Sequence, residues 1–262
     1  ENSMKLLYMG GWETGHLNNA LARVIVEMIK REWPQHWPTL LGELNDACSR
    51  GHMQTEIVLH IFLRLTEDVA TLQTLEQQQR RKDIYQALTG NMSEIFSFFM
   101  GLIEMHVREF REKTAAGDYA GAASNGRVVQ AVLRTLTEFV EWVSTNHIVM
   151  NNGYLLQILC VLLQDDVFQL PAAECLLQVV NRKGSHLING YLLQILCVLL
   201  QDDVFQLPAA ECLLQVVNRK GSVSSILSTA TCCRYCACCC RTTCSSCPPP
   251  SACCKSSTEK AL

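Results

Sequence analysis

Apolar side chains along this chain return at steps of three and four residues, and up to residue 222 they form no convincing alternating pattern. Recurrence near 3.6 residues is the period of a buried helix face, whereas strands need a period of two. The chain is therefore predicted to be all-α. Leu21, Val24, Ile25, Met28 and Ile29 draw the first stripe, beginning near Leu17. Trp33 and Pro34 end it, because proline disfavours helical geometry in the residue before it. Trp37 and Pro38 follow, with Pro38 predicted to open a helix over 38–49 and Gly51 to close it. A third stripe spans 55–72 through Ile57, Val58, Ile61, Phe62, Leu65, Val69 and Leu72. A polar, basic stretch covers 77–82. A long helix is predicted over 83–113, with Ile84, Leu88, Ile95, Phe98, Phe99, Leu102, Ile103 and Val107 inward. Gly117 and Asp118 mark a loop. The next helix is predicted over 126–142, on Val128, Val129, Val132, Leu133, Leu136, Phe139 and Val140.

Residues 152–185 then recur, letter for letter, as 189–222: an identity of 34 residues at an offset of 37. Each copy reads as two helices. The first covers 154–164 and is apolar nearly all round, so it belongs between neighbours. Asp165 and Asp166 make the turn, Pro171 is predicted to open the second helix, and Gly184 closes it behind Arg182 and Lys183. The period lies close to that of HEAT-type units, roughly 40–47 residues of paired helices, which must stack to bury their apolar faces. The expected fold is a HEAT-like helical-repeat solenoid over 17–221, after a poorly patterned segment at 1–16. Natural solenoid repeats diverge, so perfect identity argues for a recent duplication at the DNA level, such as a repeated exon, or for an assembly error.

Residues 223–262 are of another kind. Ten of the fifteen cysteines fall between Cys232 and Cys254, among serine, threonine and proline. Cys233-x-x-Cys236 and Cys244-x-x-Cys247 have zinc-like spacing. At that cysteine density such pairs arise by chance, and apolar anchors for a metal-centred fold are scarce. The abrupt change of composition favours out-of-frame or intronic translation, and the tail is expected to be disordered. A metal-binding tail stays open as an alternative.

No Walker-type glycine loop, GxSxG or HExxH is present, and the seven histidines are dispersed. No enzyme, cofactor or metal is expected. The longest apolar run near the middle, 158–163, is far short of the ~20 residues a membrane span needs. With no signal-peptide pattern at the start, a soluble intracellular chain without a membrane partner is expected, and Glu1 at the first position suggests a start inside a longer reading frame. The net charge of −3 gives no overall basic character, so any nucleic-acid contact must rest on local clusters. Those are Lys30 and Arg31; Arg80, Arg81 and Lys82; and Arg182 and Lys183. Lysine and arginine dominate affinity for phosphates, but the plainer reading of each cluster is a solvated helix end. Three consecutive cations ahead of a helix make Arg80, Arg81 and Lys82 the strongest candidates. Trp33 and Trp37 can be read as an aromatic partner site, although Pro34 and Pro38 beside them favour packing at a corner between helices.

The stretch 26–38, VEMIKREWPQHWP, with two Trp-Pro pairs four residues apart, resembles the exportin-1/importin-β-like domain of nuclear transport receptors. Further blocks agree in order: 62–69 (FLRLTEDV), 80–88 (RRKDIYQAL), 91–98 (NMSEIFSF) and 172–184 (AAECLLQVVNRKG). They narrow the resemblance to the branch of that family that carries structured double-stranded RNA hairpins. The resemblance implies a HEAT-repeat superhelix that binds double-stranded RNA, microRNA precursors above all, together with Ran-GTP. It also implies nuclear pore proteins as further partners and shuttling between nucleus and cytoplasm. It covers about 18–184 plus the second copy. Against the family pattern, the chain is read as lacking the N-terminal repeats that make much of the Ran contact and the C-terminal array that closes on cargo. It also carries the duplication and loses the pattern after Gly221. A truncated helical scaffold without transport activity is the alternative.

Overall fold

The computed structural model describes Lys5, Leu7 and residues 15–71 and 78–182. The second copy of the repeat, the cysteine-rich tail, Lys183 and most of 1–16 lie outside the described residues. Within them every regular element is helical: α1 (Gly15–Glu32), α2 (Leu40–Cys48), α3 (His52–Thr66), α4 (Gln78–Gly90), α5 (Met92–Ala115), α6 (Tyr119–Trp142), α7 (Thr145–Ile148), α8 (Met150–Leu162) and α9 (Asp166–Asn181). A π-helical turn, Glu67–Thr71, continues α3. None of these helices is long and apolar enough to cross a membrane.

The helices stack as hairpins. Helices α1, α3, α6 and α9 form one row in which each packs on the next, and α2, α5 and α8 lie against it as the first arms of successive hairpins. The all-α HEAT-like architecture follows from the stripes: Ile25 and Ile29 of α1, Ile57 and Ile61 of α3, Val128, Leu136 and Phe139 of α6, and Phe168 and Leu176 of α9 all enter one continuous core. Burial of such side chains stabilises by roughly 1.5–3 kcal/mol each. At its centre, Phe139 of α6 meets Phe99 of α5 edge-on at 5.3 Å and Phe62 of α3 at 6.4 Å, and Phe62 meets Phe99 at 5.4 Å. Edge-to-face pairs of this kind add to the gain from burial alone.

Several boundaries depart from the sequence-based expectation, each for a local reason. Helix α2 starts two residues after Pro38, which lies with Thr39 in the preceding turn. The helix expected over 83–113 breaks at Gly90, where Asn91 starts α5 and its side-chain amide donates to the Ala87 carbonyl at 2.8 Å. The basic stretch 77–82 therefore largely belongs to the first turns of α4. Helix α6 begins seven residues earlier than its aliphatic stripe suggests. Asp118 caps it, accepting from the Gly121 amide at 2.9 Å, and small residues such as Ala122 and Gly126 serve as buried positions in its first half. The short α7 has no stripe of its own and was not expected.

Pro171 does not open α9. The helix starts five residues earlier at Asp166, and the proline sits inside it. Proline cannot donate to the carbonyl four residues back, and an interior proline normally costs ~3 kcal/mol or more. That carbonyl, on Val167, instead accepts from the Gln130 side chain of α6 at 3.1 Å. The other irregularity is at the start of α8, where Asn151, Asn152 and Gly153 take left-handed φ of 52°, 59° and 72° and kink the helix. Asparagine and glycine are the residues that adopt this region at least cost.

Replacing Phe139 by alanine should remove the ring that joins three helices. The expected loss is about 3–5 kcal/mol of unfolding free energy, measured by denaturant unfolding followed by circular dichroism.

Candidate partner-binding surface

The cationic clusters divide sharply once their partners are known. Lys30, in the last turn of α1, is largely buried and pairs with Glu27 at 2.6 Å and with Asp68 of the π-helical turn at 2.9 Å. Burial works against its charge, but the hydrogen bonds donated to Glu27 and Asp68 outweigh it, so the ammonium titrates above the ordinary lysine value. Lys30 thus fastens α1 to the end of α3. Its neighbour Arg31 is exposed.

Arg80 is held more tightly still. Its Nη2 donates to the Trp33 carbonyl at 2.6 Å and to the Lys30 carbonyl at 3.0 Å, its Nε reaches the same Lys30 carbonyl at 3.2 Å, and Nη1 donates to Gln35. The last carbonyls of a helix lack intrahelical donors and carry partial negative charge. Arg80 satisfies two of them across fifty residues of sequence, and Asp83 lies 3.7 Å from the guanidinium. The first of the three cations that the sequence marks most strongly for phosphate is therefore occupied in closing α1. Next to it in sequence, Arg81 is half-buried and Lys82 is exposed.

Arg182 repeats this arrangement. Its Nη1 donates to the Val140 carbonyl, in the last turn of α6, at 2.7 Å. The helix end it serves is that of α6 and not of its own α9. Lys183 lies outside the described residues. Trp33 is buried at the foot of α1, with a cis bond to Pro34. Trp37 is half-buried and donates through Nε1 to Glu43 at 3.2 Å, while Pro38 is exposed.

Two features were missed by sequence reasoning. Shallow clefts lie between successive first arms: one of about 290 Å³ between Leu41 and Asn45 of α2 and Glu94 and Phe98 of α5, another of about 230 Å³ between Gly101 of α5 and Tyr154 of α8. The second feature is a polar cluster at the α3–α5–α6 junction. Asn125 Oδ1 accepts from His106 Nδ1 at 2.7 Å and meets His52 Nε2 at 3.0 Å, and Glu109 lies alongside. His106 and Glu109 stand three apart on one helix, a spacing visible in the sequence. His52 is more than fifty residues away, and only the fold supplies it.

The described thiols offer no nucleophile. Burial pushes Cys48, Cys160 and Cys175 up to about 12, so none is a thiolate near neutral pH.

The profile of the family described as exportin 1-like protein matches residues 14–176, from the start of α1 into α9. The chain belongs to the exportin 1-like family. It is 50% identical to human exportin-5 over 173 residues, which are 66% of this chain and 14% of that protein. Exportin-5 of Mus musculus is 48% identical over the same length, and exportin-5 of Dictyostelium discoideum 31% over 179 residues. The chain spans about one seventh of the length of these relatives. The exportin-like stack buries most of its stripes in the core and leaves its polar helix faces and the clefts at the surface.

Arg80→Ala should destabilise the fold by about 2 kcal/mol, the scale of charged hydrogen bonds lost from helix carbonyls, whereas Lys82→Ala should stay within about 0.5 kcal/mol of the parent. Parallel denaturant titrations measure both. A second expectation concerns His60 of α3. Burial, opposed by Glu56 and reinforced by Arg134 and Arg64, holds its imidazole below the ordinary 6.5. In the window between the folded value and 6.5 the unfolded chain binds the extra proton, so this contribution to stability is present above 6.5 and is lost as pH falls through the window. His60→Gln should flatten that part of the stability–pH curve.

Proposed function

We propose that this chain is a segment of a nuclear export receptor that acts by non-covalent binding. In this reading it contributes to capturing structured double-stranded RNA hairpins, such as microRNA precursors, in company with Ran-GTP. Such a receptor shuttles between nucleus and cytoplasm and meets nuclear pore proteins in transit. The observation that carries the reading is 50% identity to human exportin-5 over 173 residues. The architecture is compatible with it. A stack of amphipathic helices spends its apolar faces on its neighbours, and nothing in the polar remainder of the described residues assembles a nucleophile and base.

A-form RNA is recognised mainly by shape and by contacts to phosphate and 2′-hydroxyl groups, which arginine and lysine supply without base reading. Arg31, exposed in the last turn of α1, and Lys82, exposed in the first turns of α4, are the residues of this segment proposed to meet such a backbone. Lys30 and Arg80 act on these residues indirectly, by fixing the end of α1 against the π-helical turn and α4.

The test is hairpin-RNA binding by the purified chain across a salt series, with and without Ran-GTP. The expected outcome is binding that weakens steeply with salt, strengthens with Ran-GTP, and loses roughly one to two units of log–log salt slope in the double variant Arg31→Glu, Lys82→Glu. A folded chain that binds neither RNA nor Ran-GTP would instead identify a helical scaffold without transport activity.

A further inference from the structure

The polar cluster where α3, α5 and α6 meet is an unusual thing to bury inside an apolar stack, and its hydrogen bonds decide its chemistry. Asn125 is fully buried, and its Nδ2 donates to the Gly121 carbonyl at 3.1 Å. That bond fixes which end of the amide is oxygen. Oδ1 therefore faces both imidazoles, at 2.7 Å from His106 Nδ1 and 3.0 Å from His52 Nε2, and an oxygen without a hydrogen can only accept. Both facing nitrogens carry protons. In the neutral rings the lone pairs are then on the opposite nitrogens, His106 Nε2 and His52 Nδ1.

His106 Nε2 is buried and has no hydrogen-bond partner. A buried polar atom left unsatisfied costs about 1–3 kcal/mol, and protonating it would place a charge in the core. A neutral imidazole with a free lone pair is the form that binds metal ions. One possible donor atom from each of His52, His106 and Glu109 lies within 4.8 Å of the other two. Three ligands held on one ion at 2.0–2.2 Å stand roughly 3.4 Å apart. Convergence by about an ångström would suffice, and Glu109 is only half-buried and loosely paired with Lys113 at 3.5 Å.

We propose that His52, His106 and Glu109 form a site for a single divalent transition-metal ion of the zinc class. Two neutral imidazoles and one carboxylate give a net ligand charge of −1, suited to a dication. Two-histidine, one-carboxylate sets with a fourth position left to water are known for zinc. Asn125 is the outer partner that orients both rings and fixes their tautomers, the role such groups play around bound metals. The ion ties the first turn of α3 to α5, with α6 behind both, and so braces adjacent hairpins at a point where the core is polar.

The experiment uses the full chain, stripped of metal and with its accessible thiols alkylated, so that thiolates cannot compete for zinc or cobalt. Cobalt(II) and zinc are titrated into the parent chain and into His52→Gln and Glu109→Gln, with circular dichroism confirming that each is folded. The expected result is a one-equivalent cobalt spectrum of ligand-field bands without sulfur charge transfer, and a zinc-dependent rise in the thermal midpoint. Both should be present in the parent and lost in each variant. Equal cobalt uptake and equal midpoint shifts in parent and variants, or no response in the parent, would overturn the proposal. If Glu109→Gln does not fold, the His52→Gln comparison decides alone.

Discussion

Everything described here depends on α6 being buried from three directions. It packs against α5 along most of its length, against α3 on one side and against α9 on the other. Phe139 is the point at which those contacts meet, with Phe62 and Phe99 edge-on to it and Phe96 close by. A helical hairpin alone cannot bury both of its flanks, so the stack is stable only as a stack. The polar features follow from the same geometry. Helix ends that emerge from so apolar an interior leave carbonyls in need of donors, and arginines from later helices provide them.

The fold class was legible because the stripes are strong. Ile25 and Ile29, Ile57 and Ile61, and Val132 and Leu136 repeat at helical spacing and all reach the core. The boundaries were less legible, because each turns on one or two residues whose effect depends on distant partners. Pro171 reads locally as a helix start. It lies inside α9 because Gln130, on another helix, serves the carbonyl it leaves without a donor. The first half of α6 was missed because its buried positions are Ala122, Asn125 and Gly126, which carry little apolar signal, while the capping Asp118 was read as part of a loop.

The surface was less legible than the core. Counting consecutive cations marks Arg80, Arg81 and Lys82 together as the best phosphate ligands, yet what decides the role of Arg80 is the position of the Lys30 and Trp33 carbonyls. Lys30 and Arg182 were misjudged as solvated ends for the same reason: their partners, Asp68 and Val140, lie some forty residues away. The His52–Asn125–His106 arrangement draws on three helices, and no spacing rule in one of them can reveal it.

The paired behaviour of Arg80 and Arg182 bears on how such a superhelix deforms. Apolar packing sets how far apart two helices lie. A guanidinium shared with helix-end carbonyls adds a bond of fixed length and direction, which a shift of about an ångström breaks. At the joints of α4 with α1 and of α9 with α6, the chain is thereby fastened end to end as well as face to face.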